Sequence, residues 1–364
     1  MNLEKCVPAV ADRLLEFPWK VWFWGDSIGI EGLLSATRLT GDSRYTYYVY
    51  GLLKAWCARQ DDFRKFDHTA PGYALVDLIE ETGDPALLEA AKRFKEQLDG
   101  YRRLPNGCPV HYEDAHLELP PELPKDHPRF DPELEAVRLA NRTRDGGPCV
   151  FVDSVHFQAP FLSRLGKLLK DSVIQEEAVR TLRGQVELVW DPEACLFNHF
   201  WIEDQQRPNG VHWGRGQGWG MLGIIETLKH LPEGHAAFDY FLPILEAQAA
   251  ALQEFQDKSG DWHTIINDKS AYLETSVAAF VVQGFSESMM HGWIEKSYIG
   301  VVESAMKAML SHVDGGGLFA GVSFETFPST NPAHYKTMPV DAMVPWGQGP
   351  FLTACEAYLN LVNS

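Results

Sequence analysis

Residues 74–98 read ALVDLIEETGDPALLEAAKRFKEQL. Leu75, Leu78 and Ile79 share one helical face. Gly83 is placed to stop that helix in the left-handed conformation, and Asp84-Pro85 restarts a second helix as N-cap and first turn. The unit is therefore helix, Thr-Gly-Asp turn, helix. The same unit stands just upstream as GLLSATRLTGDSRYTYYVYGLLKAW at 32–56.

Looser copies follow along the chain. PFLSRLGKLLKDSVIQEEAVRTLRGQVELV (160–189) turns at Lys-Asp, and GMLGIIETLKHLPEG (220–234) runs into FDYFLPILEAQAAALQEFQ. AAFVVQGFSESMMHGWIEKSYIGVVESAMKAML (278–310) is the next, and FLTACEAYLNLV closes the series. With the incomplete N-terminal piece they make about six helical hairpins, a period that builds either an open solenoid or a closed ring. The connecting loops differ greatly in length and carry the Trp, His and Asp residues. That favours an all-α fold, a closed α/α barrel with a functional mouth, over a regular solenoid.

The 364 residues, 45% of them hydrophobic, suffice for a large core, and a closed barrel takes them as a single domain spanning 1–364. Residues 108–148 interrupt the pattern with seven prolines, too many for continuous helix, and read as a long rim insertion. Within it, Asp131-Pro132 is a possible start of one short helix. Strand signals are few: Cys149–Val152 and Leu318–Val322 are expected as small rim hairpins.

Lys and Arg number 32 against 50 Asp and Glu, a net charge of −18. So acidic a surface repels phosphate backbones and anionic lipid, which argues against nucleic acid and membrane partners. No apolar run approaches the ~20 residues of a membrane span, and the N-terminal stretch lacks a secretory profile. The six cysteines are scattered without a CxxC pair, as expected of reduced thiols in a cytoplasmic protein.

Two tempting motifs fail on spacing. GRGQG (214–218) lacks the full GxGxxG pattern and follows no clear strand. HYEDAH (111–116) sets its histidines at i,i+5 rather than the i,i+4 of a helical zinc site, so a solvated loop is the expectation there. What remains is a set of aromatics, carboxylates and one arginine just before helix starts. Trp19, Trp22, Trp24 and Asp26 precede one helix, Asp67 and His68 another, and Asp153 a third. His199 and Trp201, then Trp213, Arg215 and Trp219, occupy the next loop and helix start. In an α/α barrel these ends gather at one mouth. There aromatic faces stack on sugars, carboxylates do acid–base work, and Arg or His can hold a substrate carboxylate. Asp42 and Asp84, by contrast, read as turn and cap residues only.

Taken together these residues resemble glycoside hydrolase families 88 and 105, the unsaturated glucuronyl and rhamnogalacturonyl hydrolases, and family 105 most. The resemblance runs from about residue 19 to 358. It rests on the helix–TGD–helix units, the Asp before APFLSRLGKL, DPEACLFNHFW, WGRGQGWGML, YLETSVAAF with HGWI, and WGQGPFLTACEAY. It implies an (α/α)6 barrel acting on a Δ4,5-unsaturated uronic acid at the non-reducing end of an oligosaccharide, by hydration of the C4=C5 bond. It implies no metal and no organic cofactor. Carried onto this chain, Asp153 matches the general acid/base and Asp67 the second carboxylate. His199 and Arg215 match polar residues near the water and the sugar, and Trp213, Trp219 and Trp24 match stacking walls. His68 stands where the pattern has a second acid or an apolar residue, and Ser154 and His156 replace an Asp-Gly-aromatic continuation. The rivals are a saturated glycosidase using Asp67 and Asp153 as a pair, and a sugar epimerase needing His199 with His68 or His156. A non-catalytic sugar-binding barrel is the third. Oligomeric state and the origin of the uronic acid stay open at this stage.

Overall fold

The computed structural model describes residues 3–19, 24–59, 70–111, 148–326, 328–340 and 342–364. The Thr-Gly-Asp units form as read. Helices α2 (Trp24–Thr40) and α3 (Arg44–Arg59) flank the first, and α4 (Gly72–Thr82) and α5 (Pro85–Asp99) flank the second. Gly83 closes α4 at φ 64°, and the Asp84 side chain accepts from the Ala86 amide to start α5. In the third unit Lys170 takes the left-handed position at φ 56°, and Asp171 caps the next helix through the amides of Val173 and Ile174. Each such cap is worth about 1 kcal/mol, so local chemistry alone sets most hairpin corners.

The third hairpin is α7 (Ala159–Leu169) with α8 (Ser172–Val189), preceded by a one-turn helix α6 (Asp153–Phe157). The fourth is α9 (Gly214–Leu228) with α10 (Ala237–Phe255), and the fifth α11 (Thr275–Met290) with α12 (Ile299–Ser311). A short helix α13 (Pro332–Tyr335) precedes the last one, α14 (Pro345–Val362), which pairs with the first helix, α1 (Leu3–Leu15). Neighbour contacts run α2–α4–α7–α9–α11–α14 and back to α2, a closed inner ring, while α3, α5, α8, α10, α12 and α1 back it from outside. This is the (α/α)6 barrel.

Burial follows position in the ring. All fifteen residues of α9 are buried, whereas outer α5 buries only the stripe Leu87, Ala90, Ala91, Phe94 and Leu98. An inner helix has neighbours on every side, so it reads as apolar or small throughout instead of amphipathic. The ring closes where α14 meets α2, and there the backbones touch: a Cβ on Gly349 would stand 2.2 Å from the Ile28 carbonyl oxygen, and one on Gly32 2.5 Å from the Gly349 Cα.

The strands are rim furniture. β1 (Cys149–Phe151) pairs antiparallel with β4 (Phe200–Ile202), which also pairs with β5 (Arg207–Pro208). β2 (Trp190–Asp191) pairs with β3 (Leu196–Phe197), and β6 (Trp262–His263) with β7 (Leu273–Glu274). The expected hairpin at 318–322 does not form: Phe319 makes a single bridge to Val313, and the Phe319 amide is taken by the Gln348 side chain. Most of the proline-rich insertion, 112–147, including Asp131 and Pro132, lies outside the described residues.

Candidate active site

The inner helices all begin at one end of the barrel, and the rim sheet fixes what stands there. β1 and β4 run with Val150 opposite Trp201 and Phe151 opposite Phe200. One residue further, the Val152 amide donates to the His199 carbonyl at 2.9 Å. That register sets Asp153, the first residue of α6, beside His199. Position 152 carries no side-chain cap, and the Ser154 hydroxyl donates to the Phe151 carbonyl at 2.6 Å, closing the turn. His199 Nε2 stands 3.8 Å from Asp153 Oδ2, in a niche where the imidazole is buried and the carboxylate is 13% exposed.

The His199 ring packs 4.3 Å from Trp213 and 5.5 Å from Phe151, centroid to centroid. Its Nδ1 lies 2.7 Å from the Tyr335 hydroxyl, at the end of α13. Trp213, the residue before α9, is itself stacked by the Arg215 guanidinium at 4.8 Å. Arg215 is completely buried. It donates to Glu274 at 3.1 Å, to the Ser323 hydroxyl at 2.9 Å and to the Phe324 carbonyl at 3.1 Å. Desolvation lowers its pKa from the ordinary value against the opposing charge of Glu274. Glu274 caps α11 through the Val277 amide and also accepts from the Ser323 amide at 2.7 Å. The Ser323 carbonyl in turn accepts from Trp346 Nε1 at 3.0 Å, and Trp346 lies 4.7 Å from Trp24. From Asp153 to Trp24 the mouth is thus one continuous set of contacts drawn from four inner-helix starts.

Asp153, His199, Trp213, Arg215 and Trp24 therefore come together as the sequence suggested, but in different capacities. Arg215 spends its two terminal nitrogens on the protein, tying the 322–326 segment to α9 and α11. Trp219 is fully buried within the ring, packed on Phe157, Phe280 and His156, and offers no open face to a sugar. Asp67 and His68 lie outside the described residues. His111 is buried, with its ring 5.1 Å from Phe151, rather than in the solvated loop expected of its motif. Among the described residues no cluster of His, Cys, Asp or Glu is arranged to hold a metal ion.

GRGQG, which superficially resembles a nucleotide loop, is the first turn of α9. Its glycines, and those that follow, admit close neighbours: a Cβ on Gly218 would meet the Phe280 ring at 2.3 Å, and one on Gly223 the Val155 carbonyl at 2.5 Å. Glu274, Trp346, Asn209 and Tyr335 complete the mouth and were not singled out from the sequence. Glu274 had a signal, the acid two residues before Ser276 at a helix start, whereas Tyr335 follows only an Asn-Pro cap.

The opposite end of the barrel holds a separate charged cavity of about 400 Å³, lined by residues that include Glu31, Tyr73, Arg164, Glu226, Lys229 and Glu287. Lys229 Nζ sits 2.7 Å from Glu287 and 3.0 Å from Glu226. Burial works against the charge on Glu226, but Lys229 and the Tyr73 hydroxyl outweigh it and bring the carboxyl down to about 2. Burial, reinforced by Glu226, pushes Glu287 up to about 7. Between the two ends, burial pushes the His156 imidazole down to about 4.

The sequence profile of Glycosyl Hydrolase Family 88 matches residues 7–362. The chain belongs to that family. It is 27% identical over 359 residues to the unsaturated rhamnogalacturonyl hydrolase YesR of Bacillus subtilis, covering 96% of this chain and 94% of that one. Among solved structures it superposes on a possible member of the GH105 family from Salmonella enterica serovar Paratyphi A with a TM-score of 0.83 at 23% identity, over 98% and 93% of the two chains. The unsaturated glucuronyl hydrolase of Bacillus sp. GL1, responsible for glycosaminoglycan degradation, superposes with a TM-score of 0.69 at 16% identity, over 98% and 94%. At those identities the superpositions show a shared barrel. The family 88 assignment adds that this barrel belongs to a glycosyl hydrolase.

Proposed function

We propose that this protein hydrolyses Δ4,5-unsaturated uronides, the products of polysaccharide lyases, by hydrating the C4=C5 bond, with Asp153 as the general acid and base. The observation that carries the reading is the carboxyl of Asp153, held at the mouth beside the buried imidazole of His199 by the β1–β4 register. The Asp153 carboxyl gives its proton to C4, and the positive charge at C5 is shared with the ring oxygen. Water attacks C5 and yields its proton to the Asp153 carboxylate, which restores the acid. The C5 hemiketal then opens to a ketone, leaving a hemiacetal at C1 that expels the rest of the oligosaccharide as an alcohol.

Trp24 supplies aromatic surface to the sugar. Trp213, expected as a second stacking wall, is buried between the Arg215 guanidinium and His199 and backs the imidazole instead. Arg215 holds the 322–326 segment that shapes the site. Asp67 and His68, which precede α4 in the sequence, act as the second carboxylate and a substrate-facing imidazole. The six cysteines, scattered along the sequence without a CxxC pair, support a reducing cytoplasm as the place of action on imported oligosaccharides. Among the described residues no helix is long and apolar enough to cross a membrane.

The test is the ultraviolet absorbance of the conjugated ene-acid in lyase-generated oligosaccharides, with galacturonyl-rhamnose and glucuronyl disaccharides as substrates. Wild type is expected to bleach it, and Asp153→Asn to lose at least about a hundredfold in rate, the usual contribution of a positioned acid–base group. The faster substrate names the parent polysaccharide. An unchanged absorbance on every substrate sinks the reading.

A further inference from the structure

His199 faces Asp153 with one ring nitrogen and Tyr335 with the other, so the direction of the Tyr335 hydrogen bond decides which nitrogen carries the proton. Asn209 fixes that direction. Its Oδ1 faces two backbone donors, the amides of Phe200 and Val211, each at 3.4 Å. Its amide NH2 therefore points the other way, donating to the Ser329 carbonyl at 3.0 Å and to the Tyr335 hydroxyl oxygen at 3.1 Å. The Ser329 amide approaches the same hydroxyl oxygen at 3.4 Å. A phenol has one proton and two lone pairs. With N–H groups directed at the oxygen, its proton turns outward, to His199 Nδ1 at 2.7 Å or to the Ser329 carbonyl at 3.2 Å. The histidine contact is the shorter, and the Ser329 carbonyl already receives the Asn209 proton.

We propose that Tyr335, oriented by Asn209, is a positioning residue that donates its hydroxyl proton to His199 Nδ1 and so keeps the neutral imidazole protonated on Nε2, aimed at Asp153. This rests on the reading of Asp153 as the acid and base. The 3.8 Å separation is long for a hydrogen bond in the free enzyme, of the kind that tightens once substrate is bound. The Nε2 proton stays on His199 throughout. It stabilises the Asp153 carboxylate left after C4 is protonated, and orients it to take the proton of the attacking water. The reversed network would set a lone pair against Asp153, and that would hold the acid's proton back.

The experiment joins a spectrum with kinetics. In protein labelled with [15N]histidine, long-range 1H–15N correlations report the tautomer of His199, assigned with the His199→Gln variant. Wild type is expected to show the proton on Nε2. Tyr335→Phe is expected to shift it toward Nδ1 and to lower kcat on an unsaturated disaccharide about tenfold, the direction expected when a catalytic imidazole is left in the wrong tautomer. KM stays within about twofold, since no group that binds the sugar is removed. The alkaline limb of the kcat profile moves to higher pH, because the Asp153 carboxylate has lost its donor. Asn209→Asp presents an acceptor to the Tyr335 hydroxyl and is expected to produce the same tautomer change and the same shift of the limb. That arm decides if Tyr335→Phe does not fold. A wild-type proton on Nδ1, or variants with unmoved kcat and pH profile, overturns the proposal. A wild type inert on every unsaturated substrate overturns the reading of Asp153, while the spectrum still decides the proton's place.

Discussion

Arg215 and Glu274, both buried, hold each other at 3.1 Å inside the mouth of the barrel. Neither charge has water to fall back on. Removing one partner of such a pair leaves the other charge unpaired in a low-dielectric site, which costs about 3–5 kcal/mol. Glu274→Gln keeps the shape and removes the charge, so it isolates this effect. Denaturant unfolding is expected to show an unfolding free energy lowered by that amount. A shift under about 0.5 kcal/mol, the size of an ordinary surface change, counts against the pairing.

The α2–α14 seam offers a second test. A methyl group on Gly349 would press on the Ile28 carbonyl at 2.2 Å, so Gly349→Ala must push the two helices apart. Overpacking of this kind costs about 1–3 kcal/mol. Trp24 and Trp346 stand one on each of these helices. The variant should therefore lose activity as well as thermal stability, whereas Gly51→Ala, whose Cβ meets nothing, should lose neither.

His156 makes stability depend on pH. Burial holds its imidazole near 4, well below the ordinary 6.5, so the unfolded chain takes up the proton first as the solution is acidified. Stability from this group is complete above pH 6.5 and is lost as pH falls toward 4. Glu287, raised to about 7, works the other way, costing stability as pH rises from 4.5 to 7. The two slopes oppose each other in the wild type. Removing one exposes the other: between pH 7 and 4.5, His156→Gln should lose about 2–3 kcal/mol less than the wild type, by linkage. Unfolding free energies measured in parallel at both pH values check this, and equal slopes refute it.

Trp24 is half-buried, its ring against Trp346. If its open face receives the sugar in both ground and transition states, Trp24→Ala raises KM by about tenfold and leaves kcat near its starting value. Steady-state kinetics separate the two parameters, and a fall in kcat alone assigns the ring to the chemical step instead.

The hairpins were legible because their corners are local. Gly83, Asp84 and Pro85 state a stop, a cap and a start within three residues, and no distant part of the chain alters that meaning. Trp213 stands at the mouth for a related reason, since the residue just before an inner helix must reach it, whereas His199 arrives from the β3–β4 connection and Asp153 opens α6. What separates Trp213 from Trp219 is tertiary. Six residues apart, one abuts His199 and the other is sealed behind Phe280. Tyr335 was invisible because its partner His199 is 136 residues away, and Asn209 is 126 away from it. No period or spacing encodes a hydrogen bond across that distance.

The seam between α2 and α14 also orders events in time. A ribosome delivers α2 before α14, and until α14 emerges the inner ring has a gap where Gly32 and Ile28 await their partner. Outer helices and local corners can form as they emerge, but the mouth, with Trp24 on α2 and Trp346 on α14, is assembled only once α14 has followed. A product that terminates before residue 345 would carry Asp153 and His199 in full and still present an open ring, a target for chaperones and proteases.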